Sequence, residues 1–184
     1  LKTQGNLNGQ IGLPLTIMRL NDKYEKLVIE MGMSKKGEIS KLTKIVKPKI
    51  AVITNIGTSH IGNLGSRENI LKAKMEILEQ LQEEGTVIIN NDNDLLHKWA
   101  IENKYKYNII TYGIKNESDY MAKNIKFDEY SSEFDVVINN LKYRIIVPVG
   151  GEHFVYNSLC AISVGCILNI SIEKIKKGIR EFEL

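Results

Sequence analysis

Short apolar runs alternate with segments of helical periodicity from the N-terminus to Tyr112. The apolar runs are rich in β-branched residues and nearly continuous, which is typical of strands buried on both faces. They are Tyr24–Met31, Ile50–Ile56, Thr86–Asn90 and Asn108–Tyr112. The segments with helical spacing are Gly12–Leu20, Glu38–Val46, Arg67–Gln82 and Asp94–Asn103. This alternation predicts an α/β fold with a mostly parallel sheet flanked by helices.

The pattern changes after Tyr112. Three further strands follow with no helix between them: Tyr120–Phe127, Glu133–Asn139 and Tyr143–Val149. Asn139-Asn140 is a plausible hairpin turn between the last two, which predicts a small antiparallel addition to the sheet. Two helices, His153–Leu168 and Ile172–Phe182, close the chain. With no internal repeat and no long linker, the pattern predicts one domain.

The composition is that of a soluble globular protein, since 43% of the 184 residues are hydrophobic and 26% are charged. The net charge is only +3 and the lysines are scattered, so no nucleic-acid partner is predicted. No apolar run approaches the roughly 20 residues of a membrane span. Cys160 and Cys166 lie in an apolar stretch and are predicted to be buried thiols in a reducing compartment.

Lys74 is an unusual residue in the predicted helix Arg67–Gln82. It falls inside the apolar stripe of that helix, which consists of Ile70, Ala73, Ile77, Leu78 and Leu81. A lysine at such a position either reaches the edge of the core or pairs with a carboxylate. Alternatively, its pKa is lowered by burial and the amine is used chemically. The pattern alone leaves both interpretations open.

Glu30 and His60 each follow an apolar strand. Ligands in open α/β sheets gather at the carboxyl ends of strands, and a right-handed crossover would place these two ends side by side. Carboxylate oxygen with imidazole suits a divalent metal that holds phosphate oxygens. A solvent-facing carboxylate and a surface loop histidine are the alternatives. No GxGxxG or GxxxxGK[ST] phosphate loop occurs in the chain.

Four segments resemble, in the same order, the central ATP-binding domain of the Mur ligases. They are TQGNLNGQIGLPLT from Thr3, EMG with GEI from Glu30, TNIGTSH with LGSRE and AKMEI from Thr54, and GEHFVYN from Gly151. The chain departs from the family pattern at Gly9, where the family has a second Asn. The resemblance implies a P-loop-NTPase-like fold.

The resemblance also carries an expectation about the extent of the domain. In this family the phosphate loop lies immediately before the T-x-G-N segment. Residues 1–184 therefore resemble a central domain truncated just after that loop. The N-terminal domain that binds the UDP-sugar and the C-terminal domain would be absent, and the fragment alone is expected to be inactive.

Mur ligases use ATP and Mg²⁺ to form an amide through an acyl phosphate, and they work in the bacterial cytoplasm on peptidoglycan precursors. The motifs favour the branch of the family that joins D-alanyl-D-alanine to UDP-N-acetylmuramoyl-tripeptide. Another Mur or folylpolyglutamate-type ligase, or a non-catalytic degenerate nucleotide-binding module, remains as an alternative. A GxxGK[ST] motif upstream would favour the enzyme over the degenerate module.

The resemblance assigns roles to individual residues. Glu30 and His60 would be magnesium ligands, and Lys74 would be the catalytic lysine that is carbamylated by carbon dioxide. The expected nucleotide contacts are Asn157 at the adenine, His153 on the same helix face, and Asn55; Asp92 lies at another strand end and would support the site. The residues expected to face the substrate peptide are Thr3, Asn6 and Asn8; turn chemistry is the alternative for these.

Overall fold

The computed structural model describes residues 1–183. The chain forms two compact units. The first unit contains Leu1–Ala51 and Ile56–Gly85, and the second contains Val52–Asn55 and the residues from Thr86 onward.

The first unit is mainly helical. Its helices are α1 (Gly12–Ile17), α2 (Glu38–Val46), α3 (Ile61–Leu64), α4 (Arg67–Met75) and a 3₁₀ helix (Glu76–Gln80). Its core contains Leu13, Ile39, Leu42, Ile70 and Ala73, each at most 3% exposed. These apolar positions recur at helical spacing, so burial of one face of α2 and of α4 explains why the helices form here.

Six strands form one sheet in chain order. They are β1 (Ile50–Ile53), β2 (Thr86–Asn90), β3 (Asn108–Gly113), β4 (Tyr120–Phe127), β5 (Ser132–Ile138) and β6 (Leu141–Val147). β2, β3 and β4 pair in parallel, whereas β4, β5 and β6 pair antiparallel. The predicted α/β class, with its antiparallel addition, is confirmed.

Three helices belong to the second unit: α5 (Asp94–Asn103), α6 (Glu152–Ile167) and α7 (Ile172–Arg180). α6 packs against β2, β3, β4 and β5, and its Val155, Leu159 and Ile162 are fully buried. α7 packs on α6 at Gly165, where an added Cβ would lie 2.6 Å from the side chain of Ile175. The absence of a side chain at Gly165 therefore allows this close approach of the two helices.

The hairpin turn between β5 and β6 is confirmed. Ile138 pairs with Leu141, so Asn139 and Asn140 form a two-residue loop. Their φ angles are +50° and +63°, as a type I′ turn requires.

The predicted strand Tyr24–Met31 is wrong, and so is its burial on both faces. This segment forms a single parallel bridge, between Lys2 and Val28, and Val28 is 63% exposed. Among the described residues, its backbone partners are the first three residues, apart from the N–H of Tyr24, which donates to the carbonyl of Asn21 at 3.1 Å. The N–H of Glu30 is bonded by the side chain of Thr3 instead of a neighbouring strand. Glu30 therefore does not end a strand of the sheet.

The predicted helix Arg67–Gln82 is one α-helix and one 3₁₀ helix rather than a single α-helix. The change falls at Glu76, whose carboxylate is turned inward and buried. A 3₁₀ helix has three residues per turn, so the apolar stripe shifts after Met75. Ile77, Leu78 and Leu81 are consequently half-buried, whereas Ile70 and Ala73 are fully buried.

The two cysteines are free thiols on α6. Burial raises the pKa of Cys160 to about 11, although a hydrogen bond with Tyr112 lowers it in part. Within residues 1–183, no helix combines the length and the apolar character needed to cross a membrane.

Candidate functional site

Glu30 is exposed and is held by two side chains from the N-terminal segment. Its N–H donates to Oγ1 of Thr3 at 2.9 Å, and Nδ2 of Asn8 donates to its Oε1 at 2.8 Å. These contacts bring three of the predicted site residues together. Oε2 of Glu30 has no partner among the described residues and is available to a ligand.

Gly32 makes the Asn8 contact possible. Its N–H donates to the carbonyl of Asn8 at 2.9 Å. A Cβ on Gly32 would lie 2.9 Å from Cγ and Oδ1 of Asn8. Carbon atoms do not approach so closely, so a side chain here would displace Asn8 and release the carboxylate of Glu30.

His60 is exposed and has a left-handed backbone conformation, with φ +64° and ψ +16°. The loop that carries it is closed by Arg67, whose Nε and Nη2 donate to the carbonyl of Ile56 at 3.2 and 2.9 Å. Non-glycine residues in this conformation cost free energy and cluster at functional sites. No hydrogen bond or ion pair joins His60 to Glu30 in the described part of the chain.

Lys74 is half-buried on α4, one residue after the fully buried Ala73. Burial lowers the pKa of its amine. A lowered pKa increases the fraction of neutral amine, which is the nucleophilic form. The lowered pKa is compatible with the chemical interpretation, and the role of Lys74 stays a prediction.

Glu76 is a structural residue to which the sequence pattern assigned no role. Its buried carboxylate accepts the N–H groups of Gly37 at 2.7 Å and Ser40 at 3.1 Å. Gly37 is the N-cap of α2 and has no side chain to cap the helix. Glu76 supplies that cap from a distant part of the chain and fixes the end of α4, two residues from Lys74. Its presence in the AKMEI segment was the available signal.

Asn55 lies just after β1 in the second unit, and Asn93 holds its side chain. Nδ2 of Asn93 donates to Oδ1 of Asn55 at 2.9 Å. Oδ1 of Asn93 accepts the N–H of Leu96 at 3.2 Å and caps α5. The amide of Asn55 is therefore oriented by the start of a helix.

His153 and Asn157 are exposed on one face of α6, four residues apart. The His153 ring packs against Phe154, with their centroids 4.1 Å apart. No hydrogen bond joins the Asn157 side chain to another described residue, so the alternative in which it bridges helices is not supported. An exposed amide presents both donors and an acceptor, which suits the edge of a nucleobase.

The turn that leads into α6 requires glycine at two positions. Gly151 has φ +127°, and its N–H donates to Oγ of Ser132 at 3.0 Å. A Cβ on Gly150 would lie 1.8 Å from the carbonyl oxygen of Asp128. The glycines thus allow β6 to turn tightly into the helix that presents His153.

The carboxylate of Asp92 accepts four hydrogen bonds, which its position at a strand end did not predict. Its carboxylate accepts the N–H groups of Ile114, Lys115 and Asn116 at 2.6, 3.0 and 2.7 Å. It also accepts the hydroxyl of Tyr156, on α6, at 2.9 Å. Burial alone would raise the pKa of Asp92, but these four donors together lower it.

The candidate residues fall into two groups, one in each unit. The first unit holds Thr3, Asn8 and Glu30 in contact, and it also contains His60 and Lys74. The second unit holds the three expected nucleotide contacts, Asn55, His153 and Asn157. Asn6 is exposed in a turn beside Gly5, and its side chain has no hydrogen bond to another described residue.

The comparison with known families identifies this arrangement. Residues 1–165 match the model of the Mur ligase middle domain, and the chain belongs to that family. It is 40% identical over 178 residues to the UDP-N-acetylmuramoyl-tripeptide–D-alanyl-D-alanine ligase of Bacillus subtilis, covering 97% of this chain and 37% of the relative.

Solved structures agree with the sequence relatives. A crystal structure of MurF from Acinetobacter baumannii superposes with a TM-score of 0.93 at 32% identity, over 100% of this chain and 40% of that protein. The MurF ligase of Thermotoga maritima in complex with ADP superposes with a TM-score of 0.83 at 28% identity, over 100% of this chain and 42% of that protein. The chain thus spans about two fifths of the length of these relatives.

Proposed function

We propose that this chain is the ATP-binding middle domain of a ligase that joins D-alanyl-D-alanine to UDP-N-acetylmuramoyl-tripeptide in peptidoglycan precursor synthesis. The observation that carries the proposal is the family match over residues 1–165, because every candidate site residue lies within that range. The name of the Bacillus subtilis relative supports the choice of substrates. The complex of the Thermotoga maritima relative supports an adenine nucleotide as ligand.

The nucleotide contacts would come from the second unit. Asn157 would bond the edge of the adenine, and His153 would lie beside it on the same face of α6. Asn55, oriented by Asn93, would contact the nucleotide from the loop after β1. Asn6, whose side chain is exposed, is the most accessible of the three residues expected to face the substrate peptide.

The proposed reaction has two steps. The terminal carboxylate of the tripeptide attacks the γ-phosphorus of ATP, ADP leaves, and an acyl phosphate forms. The amine of D-alanyl-D-alanine then attacks the acyl carbon, and the tetrahedral intermediate collapses to the amide, releasing phosphate and a proton. Such chemistry depends on positioning and on stabilising charge at the phosphoryl group.

The donor set of the first unit fits Mg²⁺ brought in with phosphate. Mg²⁺ is commonly held by one or two carboxylates together with waters and substrate phosphates. Oε2 of Glu30 is available, and no group of three or more His, Cys, Asp or Glu side chains forms a metal cage in the described residues. We therefore propose Glu30 as the oxygen ligand, and the family resemblance adds His60 as the second protein ligand. When bound, Mg²⁺ neutralises charge on the phosphates.

Lys74 would act after carbamylation. The ammonium first loses a proton. The neutral amine then attacks carbon dioxide, an N–C bond forms as one C=O π bond opens, and a second proton leaves the nitrogen, so the side chain becomes an anionic carbamate. The lowered pKa of Lys74 favours the reactive form. The resulting carbamate would orient the groups around the transferring phosphate.

The test is phosphate release that depends on D-alanyl-D-alanine, measured on the full-length protein. We expect Lys74→Ala to lose activity and to regain part of it with a short carboxylic acid added with excess bicarbonate. Lys72→Ala is the matched control, because Lys72 is an exposed lysine on the same helix, and it is expected to remain active.

The outcomes separate the parts of the proposal. If Lys74→Ala matches wild type, Lys74 is a packing residue and its catalytic role is wrong. If wild type releases phosphate only with another amine substrate, the protein is a ligase of another branch. If wild type neither binds ATP nor releases phosphate, the domain is a non-catalytic module.

A further inference from the structure

Among the described residues, polar side chains of α6 meet polar groups elsewhere in the unit at three points. The hydroxyl of Tyr156 donates to Asp92 at 2.9 Å, and the thiols of Cys160 and Cys166 lie beside Tyr112 on β3 and Tyr120 on β4. The last two join the helix directly to the sheet. The first differs because Asp92 also binds a loop.

That loop follows β3, and Asp92 is its main anchor. Both carboxylate oxygens are used: Oδ2 accepts the N–H groups of Ile114 and Lys115, and Oδ1 accepts the N–H of Asn116. Gly113 allows this approach, because a Cβ there would lie 3.1 Å from Oδ1 of Asp92. Asp92 thereby fixes the loop and the first half of α6 to the end of β2.

Tyr156 lies between the two residues that face the proposed nucleotide. It follows His153 by three positions and directly precedes Asn157, so all three belong to adjacent turns of α6. A helix is stiff over this length, so a contact that fixes Tyr156 also fixes the position and rotation of Asn157. Neither Asp92 nor Tyr156 is needed to touch the nucleotide.

We propose that Asp92 and Tyr156 are positioning residues for the nucleoside end of the nucleotide. Their hydrogen bond sets the start of α6 against the loop after β3, so that the Asn157 amide is already oriented when the base arrives. Preorganisation of this kind improves affinity by reducing the ordering cost on binding. The inference rests on the proposed function, which places the nucleotide at α6.

The test compares Tyr156→Phe with Tyr120→Phe in the full-length protein. Each substitution removes one hydroxyl on or beside α6, but Tyr120 lies beside Cys166, near the C-terminal end of the helix and away from Asn157. Phe at position 156 leaves Asp92 with its backbone donors, so the fold is retained. The readouts are the dissociation constant of a fluorescent ADP derivative, the KM for ATP, kcat and Tm.

For Tyr156→Phe we expect the dissociation constant and the KM to rise about fivefold, the effect of one typical hydrogen bond. We expect kcat at saturating ATP to be retained. Tyr120→Phe is expected to lower Tm as much as Tyr156→Phe does, but to leave the dissociation constant of ADP and the KM for ATP unchanged. Asn157→Ala should weaken ADP binding, and adding Tyr156→Phe to it should have little further effect.

Three results would overturn the inference. Unchanged ADP affinity in Tyr156→Phe would show that the hydrogen bond positions nothing at the site. Equal losses of affinity in Tyr156→Phe and Tyr120→Phe would show a general structural role. Failure of wild type to bind ADP would overturn the proposed function as well, which distinguishes the two kinds of failure.

Discussion

At the scale of single residues, the backbone conformation of His60 lowers the stability of the protein. Its left-handed conformation places Cβ close to the following carbonyl oxygen, which costs roughly 1–2 kcal/mol for a residue with a side chain. The imidazole does not contribute to packing, because the side chain of His60 is exposed. The left-handed backbone conformation of His60 is thus retained at the expense of stability.

Replacing His60 by glycine and by alanine separates these effects. Both variants lose the imidazole, so both are expected to lose activity if His60 serves the reaction. We expect His60→Gly to be more stable than His60→Ala by about 1 kcal/mol, because glycine adopts a positive φ without strain. Urea unfolding of the two variants measures the difference, and equal stabilities would contradict the assignment of strain to this residue.

At the scale of elements, α2 depends on a residue outside itself. Its N-cap is Gly37, and the N–H groups of Gly37 and Ser40 donate to Glu76 at the start of the 3₁₀ helix. The hydroxyl of Thr43 donates back to the carbonyl of Ile77 at 3.0 Å. These contacts bind the two segments into one structural piece.

Removing the Glu76 carboxylate should therefore destabilise both α2 and the 3₁₀ helix. We expect Glu76→Ala to lower the free energy of unfolding by about 2 kcal/mol, since it leaves the half-buried N–H groups of Gly37 and Ser40 without a partner. Glu83→Ala is the control, an exposed acidic residue shortly after the same 3₁₀ helix, and should change it by less than about 0.5 kcal/mol. Denaturant titration measures both, and equal effects would contradict the capping role.

The hairpin between β5 and β6 offers a gain in stability. Asn140 has φ +63°, and glycine is the preferred residue at the second position of a type I′ turn. We expect Asn140→Gly to stabilise the protein by a few tenths of a kcal/mol and Asn140→Ala to destabilise it. Thermal unfolding of the pair gives the answer, and a Tm for Asn140→Ala at or above that of Asn140→Gly would contradict it.

Local pattern was enough to locate most elements, because strands and helices bury apolar residues with their own periods. The bounds of α2, α5, β2 and β4 agree with those predicted. The prediction failed where a side chain replaced a backbone partner, as Thr3 does for Glu30. It failed again at Glu76, where the α-helix is followed by a 3₁₀ helix and the carboxylate caps α2. Such contacts join residues far apart in sequence, and periodicity does not encode them.

The candidate site was predictable to a similar extent. Motif segments located the residues but gave no geometry, so the contact of Asn8 with Glu30 emerged only from the fold. Whether each residue performs the role implied by the family resemblance stays a prediction. Asp92 was recognisable as a strand-end carboxylate, but its partners lie more than twenty residues away in the sequence.

At the scale of the whole molecule, stability in acid depends on carboxylates that are charged in the folded state. Asp135 accepts bonds from Asn124 at 2.7 Å, Lys142 at 2.9 Å and Arg144 at 3.2 Å. The Asn124 amide and then the Lys142 ammonium are the main causes that lower the pKa of Asp135 to about 2. The pKa of Asp92 is also lowered.

These shifts give the direction of the pH dependence. A carboxyl group whose pKa is lower in the folded state than in the unfolded state contributes stability above the unfolded value, near 3.9. That contribution is lost as the pH falls through the folded value, about 2 for Asp135. We expect Tm to fall between about pH 4 and pH 2, and to fall less steeply in Asp135→Asn. Parallel curves for the two proteins would contradict this.

The close approach of Gly32 to Asn8 has a consequence for how this protein can change over time. Position 32 has no room for a side chain while Asn8 bonds Glu30. A side chain at position 32 displaces the Asn8 amide, and a smaller residue at position 8 removes that amide, so either change releases the carboxylate of Glu30. Neither mutation alone preserves the geometry. Positions 8, 30 and 32 are thus expected to be inherited together as a single character.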